Sequence, residues 1–239
     1  ELLGESGIPY ADEVLSDGPA GYWRLGEGAA QPSPWAVDAS GNGNIGFYGG
    51  DVGFGNLGAL LNDNNPAAGF DGVDDRVQLP YSLLDGQNDI TVAFWLKTTK
   101  TGNQAVLSGA TADNLKEFLV YFETDRRLLF YTGENSNSYV SWMIDSIADN
   151  QWHMVVVTRD GVNDQAELFI DALSQGKKAT ALNPLSVAPG GLVVGQYQTA
   201  VGVYQSSRAF VGSLDEVALY QGVLAPERIQ AYYDRAVTG

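Results

Sequence analysis

Turn residues divide this sequence into short apolar segments along its whole length. Gly alone occurs 29 times in the 239 residues, and Gly, Asn and Asp together interrupt the chain about every ten positions. Such spacing favours many short strands over helices. Because antiparallel strands must hide their edges, they close into a barrel or stack as two sheets. We therefore predict an all-β fold, a two-sheet antiparallel β-sandwich of the jelly-roll type with a short C-terminal helix.

The individual segments have the residue patterns of strands and helices. Asp75–Leu79 alternates polar and apolar residues, as a half-buried strand does, and Ile90–Lys97 is a longer strand. Two segments are predicted to be helical, Ala11–Leu15 and Pro226–Tyr233, and Pro226 stands in the first turn, where proline is tolerated. The other predicted strands are Tyr22–Leu25, Ile45–Tyr48, Gln104–Ser108, Phe118–Glu123, Arg127–Tyr131, Tyr139–Ile144, His153–Arg159, Glu167–Asp171, Leu192–Gly195 and Val211–Tyr220.

No repeat and no internal linker interrupts this series of strands. Residues 1–10 carry no periodicity and are interpreted as a linker or an N-terminal edge, and residues 11–239 as one domain. With 44% hydrophobic and 11% aromatic residues, the domain can bury a large core. The chain begins at Glu1 without a Met or a signal peptide, which predicts that it is a mature or excised part of a larger protein.

The net charge and the absence or scarcity of some residue types exclude several classes of function. The 29 acidic residues against 13 basic ones leave a net charge of -16, which repels phosphate backbones and makes nucleic acid a poor partner. The absence of Cys excludes disulfides, thiol catalysis and zinc-thiolate sites. One His leaves little material for Ser–His catalysis or His-rich metal sites. No run of about twenty apolar residues exists, so membrane insertion is not expected.

Eight sequence pieces, taken in order, resemble one known family. They are GPAGYWRLGEG, VDASGNGNIGFYGG, AAGFDGVDDRVQLP, ITVAFWLKT, DNQWHMVVVTRDG, ELFIDALSQG, LVVGQY and FVGSLDEVALYQGVLAPERIQAYY. Together they are similar to the laminin-G-like jelly rolls of the concanavalin-A-like lectin/glucanase superfamily, from about Pro19 to Tyr233. Three features depart from the family pattern: a long loop at Tyr197–Ala209, an Asn-rich stretch at Asp51–Pro66, and Ala172 where the family often has Gly after Asp.

The resemblance implies a structural calcium ion shared by the Asp-Ser-Gly-Asn-Gly-type loop and the Asp of the late strand. Period-2 alternation places Asp215 on one face with Val217 and Leu219, and a carboxylate near a core needs a cation or several donors. Calcium takes roughly six to eight oxygen ligands. The predicted ligands are Asp38, Asn42 and Asp215, with Gly43 and Asn44 contributing carbonyl or amide oxygen. The alternative is a loop of Asx turns, with Asp215 bonded to backbone N–H groups.

Aromatic residues outside the strand motifs are candidates for ligand binding, because exposed rings stack on flat apolar surfaces such as sugar faces. Trp35 lies in the loop QPSPWAV beside the presumed ion, and Trp142 lies in SYVSWMIDS. The loop at residues 196–208 adds Tyr197, Tyr204 and Arg208 among hydroxyl-binding Gln residues. The alternative for this loop is a surface hairpin without a ligand. Trp23, Trp95 and Trp152 fall in strand motifs and are expected in the core.

Catalysis has little support in the sequence. Retaining glycoside hydrolases need two carboxylates about 5 Å apart, which a strand supplies as E-x-D-x-x-E. Glu123 and Asp125 match its start, but Leu128 stands at the last position. His153 is expected to be structural, and the G-x-G-x-x-G match at Gly53–Gly58 lacks the following helix of a nucleotide site.

We therefore predict that the chain is not an enzyme. The resemblance implies a calcium-stabilised recognition module that binds a glycan or polysaccharide, and possibly a protein surface. Such a module belongs to a secreted protein, in an extracellular or cell-surface setting, as part of a larger multi-domain chain. One alternative is a structural or protein-binding domain of an adhesin or phage fibre without a glycan ligand. A polysaccharide-degrading enzyme is the other alternative.

Overall fold

Eighteen strands and two helices make up the computed structural model, which describes residues 9–28, 34–111, 116–123, 126–131, 138–180 and 183–239. The helices are α1 (Tyr10–Ser16) and α2 (Pro226–Thr238). The strands are β1 (Gly21–Trp23), β2 (Trp35–Ala36), β3 (Gly46–Gly49), β4 (Gly53–Asn56), β5 (Ala67–Asp71), β6 (Arg76–Leu79), β7 (Ile90–Lys97), β8 (Gln104–Ala110), β9 (Lys116–Phe122), β10 (Arg127–Tyr131), β11 (Tyr139–Met143), β12 (His153–Asp160), β13 (Gln165–Ile170), β14 (Leu173–Ala179), β15 (Leu192–Val194), β16 (Gln198–Ala200), β17 (Val203–Tyr204) and β18 (Val211–Tyr220).

The strands form two large antiparallel sheets and one small hairpin. Sheet A has the order β14-β13-β12-β7-β18-β5-β4, with β1 also paired to β18. Sheet B has the order β11-β10-β9-β8-β15-β6-β3-β2, and β16 pairs with β17 apart from both. Side chains from the facing sides of the two sheets interdigitate, among them Phe94, Phe118 and Phe130. The predicted two-sheet β-sandwich is therefore confirmed.

The central strands of sheet A are buried on both faces of the sheet. Its outer face is covered by α1 and α2, where Val14, Ile229 and Tyr232 pack against Trp95 and Tyr220. This double burial explains why β7 has a nearly continuous apolar sequence, ITVAFWLK, rather than an alternating one. Among the described residues, neither helix is long and apolar enough to cross a membrane.

Strands with strong apolar patterns were predicted well, and weak ones were missed. The bounds of β7, β10 and β18 agree with the prediction, whereas α2 continues five residues beyond Tyr233, to Thr238. The missed β14 has the polar sequence LSQGKKA at the edge of sheet A, and the missed β4 has the Gly-rich sequence GFGN at the other edge. Edge strands bury few side chains, so their sequences carry little periodic signal. The other missed strands are β2, β5, β16 and β17.

Candidate functional site

The loop after β2 is organised around the carboxylate of Asp38. Its Oδ1 accepts hydrogen bonds from the backbone N–H groups of Tyr22 (3.0 Å) and Ser40 (2.9 Å), and its Oδ2 accepts one from Asn44 (2.7 Å). Partial burial raises the pKa of Asp38, but the bonds from Ser40, Tyr22 and Asn44 outweigh it and lower the pKa below its ordinary value. Two N–H groups of the loop and one of β1 thus hold this carboxylate in its ionised form.

Two Asn side chains attach the same loop to the chain before β1. The amide of Asn42 donates to the carbonyl of Pro19 (2.9 Å), and the amide of Asn44 donates to that of Ala20 (2.8 Å). The indole N–H of Trp23 donates in return to the Asn44 carbonyl (2.9 Å). Gly43 adopts a φ of +77°, which an L side chain rarely takes. The predicted ligands Asp38, Asn42, Gly43 and Asn44 therefore lie together in one hydrogen-bonded loop.

Asp215 lies apart from that loop. Asp38 pairs with Trp23 of β1, and Trp23 pairs on its other side with Val217 of β18, so β1 separates the two acidic residues. The buried Oδ2 of Asp215 accepts the backbone N–H of Ala59 at 2.8 Å. Both Asp38 and Asp215 therefore accept hydrogen bonds from backbone N–H groups. This is the arrangement that the sequence left open as the alternative to a calcium ion. The Asp38 carboxylate has hydrogen-bond donors at both of its oxygens, and calcium at Asp38 stays a prediction that follows from the resemblance.

The predicted face of Asp215 is wrong. The pairing of β18 with β7 shifts register between Asp215 and Ala218, where Glu216 has a φ of +53°. This bulge inserts one residue and reverses the alternation of side chains. Leu214, Val217 and Leu219 consequently face the core between the sheets, and Asp215 faces away from them.

Asp215 and Glu216 form a buried acidic pair whose nearest cation is Arg24. The guanidinium of Arg24 contacts Glu216 Oε1 through Nε (2.9 Å) and Nη2 (2.8 Å), and it also contacts Asp63 at 2.6 Å. The hydroxyl of Tyr22 donates to the other oxygen of Glu216. Burial raises the pKa of both acids, and the charge of Glu216 raises that of Asp215 further. These contacts indicate that Arg24, Asp215 and Glu216 have a structural role, which is to stabilise sheet A.

Two of the predicted ligand-binding aromatic residues are buried, which corrects the prediction. Trp142 is 2% exposed in the core between the sheets, and its indole N–H donates to the Gly176 carbonyl at 2.6 Å. Tyr197 is also buried, with its ring 4.8 Å below the guanidinium of Arg208. The ring of Tyr197 packs against that of Tyr121 in sheet B, with centroids 5.5 Å apart, so neither Tyr197 nor the buried Trp142 can stack on a ligand. Tyr204 stays half-buried under the guanidinium of Arg76, 5.1 Å from its ring centre.

Trp35, by contrast, is exposed at the edge of sheet B. It is 46% exposed and pairs across β2 and β3 with Phe47, which is 48% exposed, with ring centroids 4.5 Å apart. Phe47 in turn pairs with Gln78 of β6. Arg76 is two residues from Gln78 and shares its side of the strand, with Tyr204 below its guanidinium. We call the surface formed by Trp35, Phe47, Gln78, Arg76 and Tyr204 the aromatic face.

Phe47 was not identified from the sequence. It was predicted within a strand, but its outward direction depends on pairing with Gln78 and with the unpredicted strand β2. A signal was present, because Phe47 alternates with Gly46 and Tyr48 in GFYG, and one side of that pattern had to face solvent.

The catalytic candidates have structural partners. Glu123 accepts a bond from Arg127 Nε at 2.9 Å, and Leu128 packs in the core between the sheets. Asp125 lies outside the described residues. Gly53–Asn56 forms strand β4, which removes the nucleotide interpretation of the Gly-rich match.

His153, the one histidine, lies between two carboxylates. Its Nδ1 is 2.7 Å from Asp171 Oδ2 and its Nε2 is 3.3 Å from Asp149 Oδ1. The hydrogen bond to Asp171 is the main cause that raises the pKa of His153, against the opposing effect of partial burial. The ring therefore holds the turn after β13 to the start of β12.

We expect His153 to make a pH-dependent contribution to stability. Its folded pKa is raised, so this contribution is fully present below the unfolded pKa of about 6.5 and is lost as the pH rises through the folded pKa. Thermal melts of the wild type and His153→Gln should differ most at about pH 5 and converge toward about pH 9. An equal gap across that range would contradict a charged histidine.

The stacked antiparallel sheets make this chain a jelly-roll β-sandwich of the lectin type. Residues 71–230, more than half of the chain, match the family model described as the concanavalin A-like lectin/glucanases superfamily. The chain belongs to this superfamily.

Individual relatives support the same assignment. The chain is similar to C-reactive protein of Xenopus laevis, with 28% identity over 149 residues that cover 59% of each protein. It is similar to the SAP-like pentraxin of Limulus polyphemus, with a TM-score of 0.52, 21% identity and coverage of 62% of this chain and 70% of that one. The ligand-binding domain of botulinum neurotoxin serotype D in complex with N-acetylneuraminic acid gives a TM-score of 0.66, 12% identity and coverage of 96% and 53%. The chain spans less than two thirds of the frog protein, and the two structures show likeness of fold alone.

Proposed function

We propose that this domain is a non-catalytic recognition module that binds carbohydrate through the aromatic face. The observation that carries the proposal is the pair of half-exposed rings, Trp35 and Phe47, at the edge of sheet B. Large apolar side chains are normally buried, so two adjacent exposed rings favour a binding role. Aromatic rings offer flat apolar area that stacks on the C–H side of a pyranose.

Polar groups beside the rings supply the hydrogen bonds that a sugar needs. Gln78 is half-buried on the adjacent strand, and its amide nitrogen is bonded to the Leu192 carbonyl at 2.6 Å, which fixes the side chain. Arg76 adds donors, held by its contacts with Tyr204 and with the Asp74 carbonyl. The net charge of -16 disfavours acidic glycans over long range. Neutral polysaccharide is therefore the proposed ligand class.

The setting of the domain is part of the same proposal. We place this glycan-binding module in an extracellular or cell-surface protein, where the net charge of -16 favours solubility. The chain would be one module of a larger protein. A structural calcium ion at Asp38, Asn42, Gly43 and Asn44 is retained as the prediction from family resemblance.

Protein binding is a second candidate, favoured by one observation. Val37 and Ile45, which flank the Trp35–Phe47 strand pair in sequence, are also largely exposed. A broader apolar surface of this kind fits a protein partner better than a sugar.

Binding to a panel of neutral, uronic-acid and sialylated glycans tests the proposal. We expect Trp35→Ala and Phe47→Ala each to weaken binding of a neutral polysaccharide about tenfold, which is the loss of about 1.4 kcal/mol of stacking and apolar contact. Tyr139→Ala is the matched control, because Tyr139 is 41% exposed on β11, at the opposite edge of sheet B. Melting temperatures should stay close to that of the wild type in all three variants.

Two results would contradict the proposal. If the wild type bound no glycan of the panel, the protein-binding candidate would take precedence. If Tyr139→Ala abolished binding while Trp35→Ala preserved it, the site would lie at the other edge of the sheet.

A further inference from the structure

Three carboxylates converge in the turn between β5 and β6. One oxygen each from Asp71, Asp74 and Asp75 lies within 4.8 Å of the other two, and no other group of three or more acidic or His side chains meets this criterion in the described part of the chain. Calcium binds oxygens at about 2.3–2.6 Å, so two ligands on opposite sides of one ion lie about 5 Å apart. The spacing is therefore that of ligands around one ion.

Asp75 is the unusual member of the three. It is 2% exposed, its Oδ2 accepts the backbone N–H of Asp71 at 2.8 Å, and its buried Oδ1 has no hydrogen-bond partner. A buried carboxylate oxygen without a donor costs free energy unless a proton or a cation compensates it. Burial and the charges of Asp71 and Asp74 raise the pKa of Asp75, although the backbone N–H groups of Asp71 and Asp51 oppose this.

A second unpartnered oxygen lies at the same turn. Gln196 is fully buried, and its Nε2 lies 3.3 Å from the carbonyls of both Val73 and Asp75, while its Oε1 has no partner. Among the described residues, none of the ion pairs involves these three carboxylates. Arg76, the neighbouring cation, donates to the Asp74 carbonyl instead of a carboxylate. The turn therefore places several oxygen atoms close together, and its three carboxylates form no ion pair with a described Lys, Arg or His side chain.

Exposure makes the turn accessible to an ion. Asp71 and Asp74 are exposed while Asp75 is buried beneath them, so an ion could enter from solvent and contact all three. Asp215 also has an unpartnered oxygen, but it is fully buried and its neighbour Glu216 is already bound by Arg24. Protonation can therefore neutralise the buried Asp215, whereas the accessible cluster of Asp71, Asp74 and Asp75 can bind a cation.

We propose that Asp71, Asp74 and Asp75 bind a divalent cation with the oxygen preference of calcium. Three carboxylates and water satisfy a hard cation that tolerates irregular geometry, and the absence of His and Cys disfavours zinc or copper. The bound ion would join the end of β5 to the start of β6, the strand that carries Arg76 and Gln78. The proposal is independent of carbohydrate binding and of the Asp38 loop.

Calcium titration of the chelator-treated whole chain tests this site by calorimetry and by thermal melting. We expect the wild type to bind calcium chloride and to melt at a higher temperature with it, because the ion binds only the folded state. Asp74→Asn should weaken binding roughly tenfold or more, since even indirect supports of metal sites are worth about 10–100-fold. Asp74 is exposed, so this variant should fold normally. Asp75→Asn should have the same effect.

Asp164→Asn, on an exposed turn, is the matched control and should bind calcium with the affinity of the wild type. Asp38→Asn distinguishes the two sites, because it removes a ligand of the ion predicted for the Asx-turn loop and should keep the binding event that Asp74→Asn weakens. No calcium binding by the wild type would overturn the proposal. So would a loss of binding in Asp38→Asn with full binding in Asp74→Asn, which would move the ion to the loop. Glycan binding is measured separately, so its failure would leave this result unaffected.

Discussion

Replacing Arg24 with Ala is expected to lower the free energy of unfolding by about 3–5 kcal/mol, the range for removing one partner of a buried ion pair. Glu216 is fully buried, and its Oε1 accepts two hydrogen bonds from the Arg24 guanidinium while its other oxygen accepts one from the Tyr22 hydroxyl. Without the guanidinium, Glu216 and the adjacent Asp215 would share a buried region with no cation. Urea denaturation of the wild type and Arg24→Ala measures the difference.

The free energy of unfolding that is lost in Arg24→Ala should increase as the pH rises. Burial raises the folded pKa of Glu216 and Asp215, so their neutral forms favour the folded state and ionisation opposes it as the pH rises. Removing Arg24 strengthens this effect, and the gap between the proteins should therefore be smaller at about pH 5 than at about pH 8.

The control is an exposed cation. Lys177 is 3.9 Å from Glu167 on an exposed strand, so Lys177→Ala should change stability by less than about 0.5 kcal/mol. If Arg24→Ala were as mild as this control, the acidic pair would already be neutralised by protons, and Arg24 would not support the fold.

Trp142→Ala is expected to cost about 3–5 kcal/mol of stability, the range for truncating a buried Trp. The ring fills the core between the sheets opposite Leu128, and its N–H bond to the Gly176 carbonyl ties β11 to β14 across the sandwich. Trp142→Phe keeps most of the apolar contact and loses the bond, so it should cost less. Thermal and urea unfolding measure both variants.

Trp35→Ala is the matched comparison, because it removes the same side-chain type from an exposed site. Its cost should stay within about 0.5 kcal/mol, while its glycan affinity falls. The opposite pattern, a stable Trp142→Ala that has lost glycan binding, would restore the sequence interpretation of Trp142 as a ligand residue. The two variants therefore distinguish a tryptophan of the core from a tryptophan of the proposed binding face.

Three of the described acidic residues, Asp38, Glu216 and Asp75, have different surroundings. Asp38 is surrounded by backbone N–H groups, Glu216 is paired with Arg24, and Asp75 has a buried oxygen with neither. Of these three residues, Asp75 alone has a buried carboxylate oxygen without a hydrogen-bond partner. This distinction favours the β5–β6 turn for the inferred cation, which is separate from the calcium ion that the family resemblance predicts for the Asx-turn loop.

Local residue patterns were sufficient to predict the fold class and the strongest strands. The apolar sequences of β7 and β18 predicted strands with their correct bounds, and Pro226 marked the start of α2. These features depend on residues a few positions apart, because side-chain direction in a strand repeats every two residues. Edge strands such as β14 escaped prediction because they bury too little to need an apolar pattern.

The candidate sites depended on contacts that no local pattern contains. Trp142 and Trp35 both have polar neighbours in sequence, yet Trp142 is 2% exposed and Trp35 is 46% exposed, because sheet A covers Trp142. The bulge at Glu216 reversed the face predicted for Asp215, and Arg24 meets Glu216 across 192 positions of sequence. The sequence by itself determined the strands with strong apolar patterns, since backbone alternation is local. Tertiary structure alone decided which side chains are buried, paired or open to a ligand, since burial and pairing arise between residues distant in the chain.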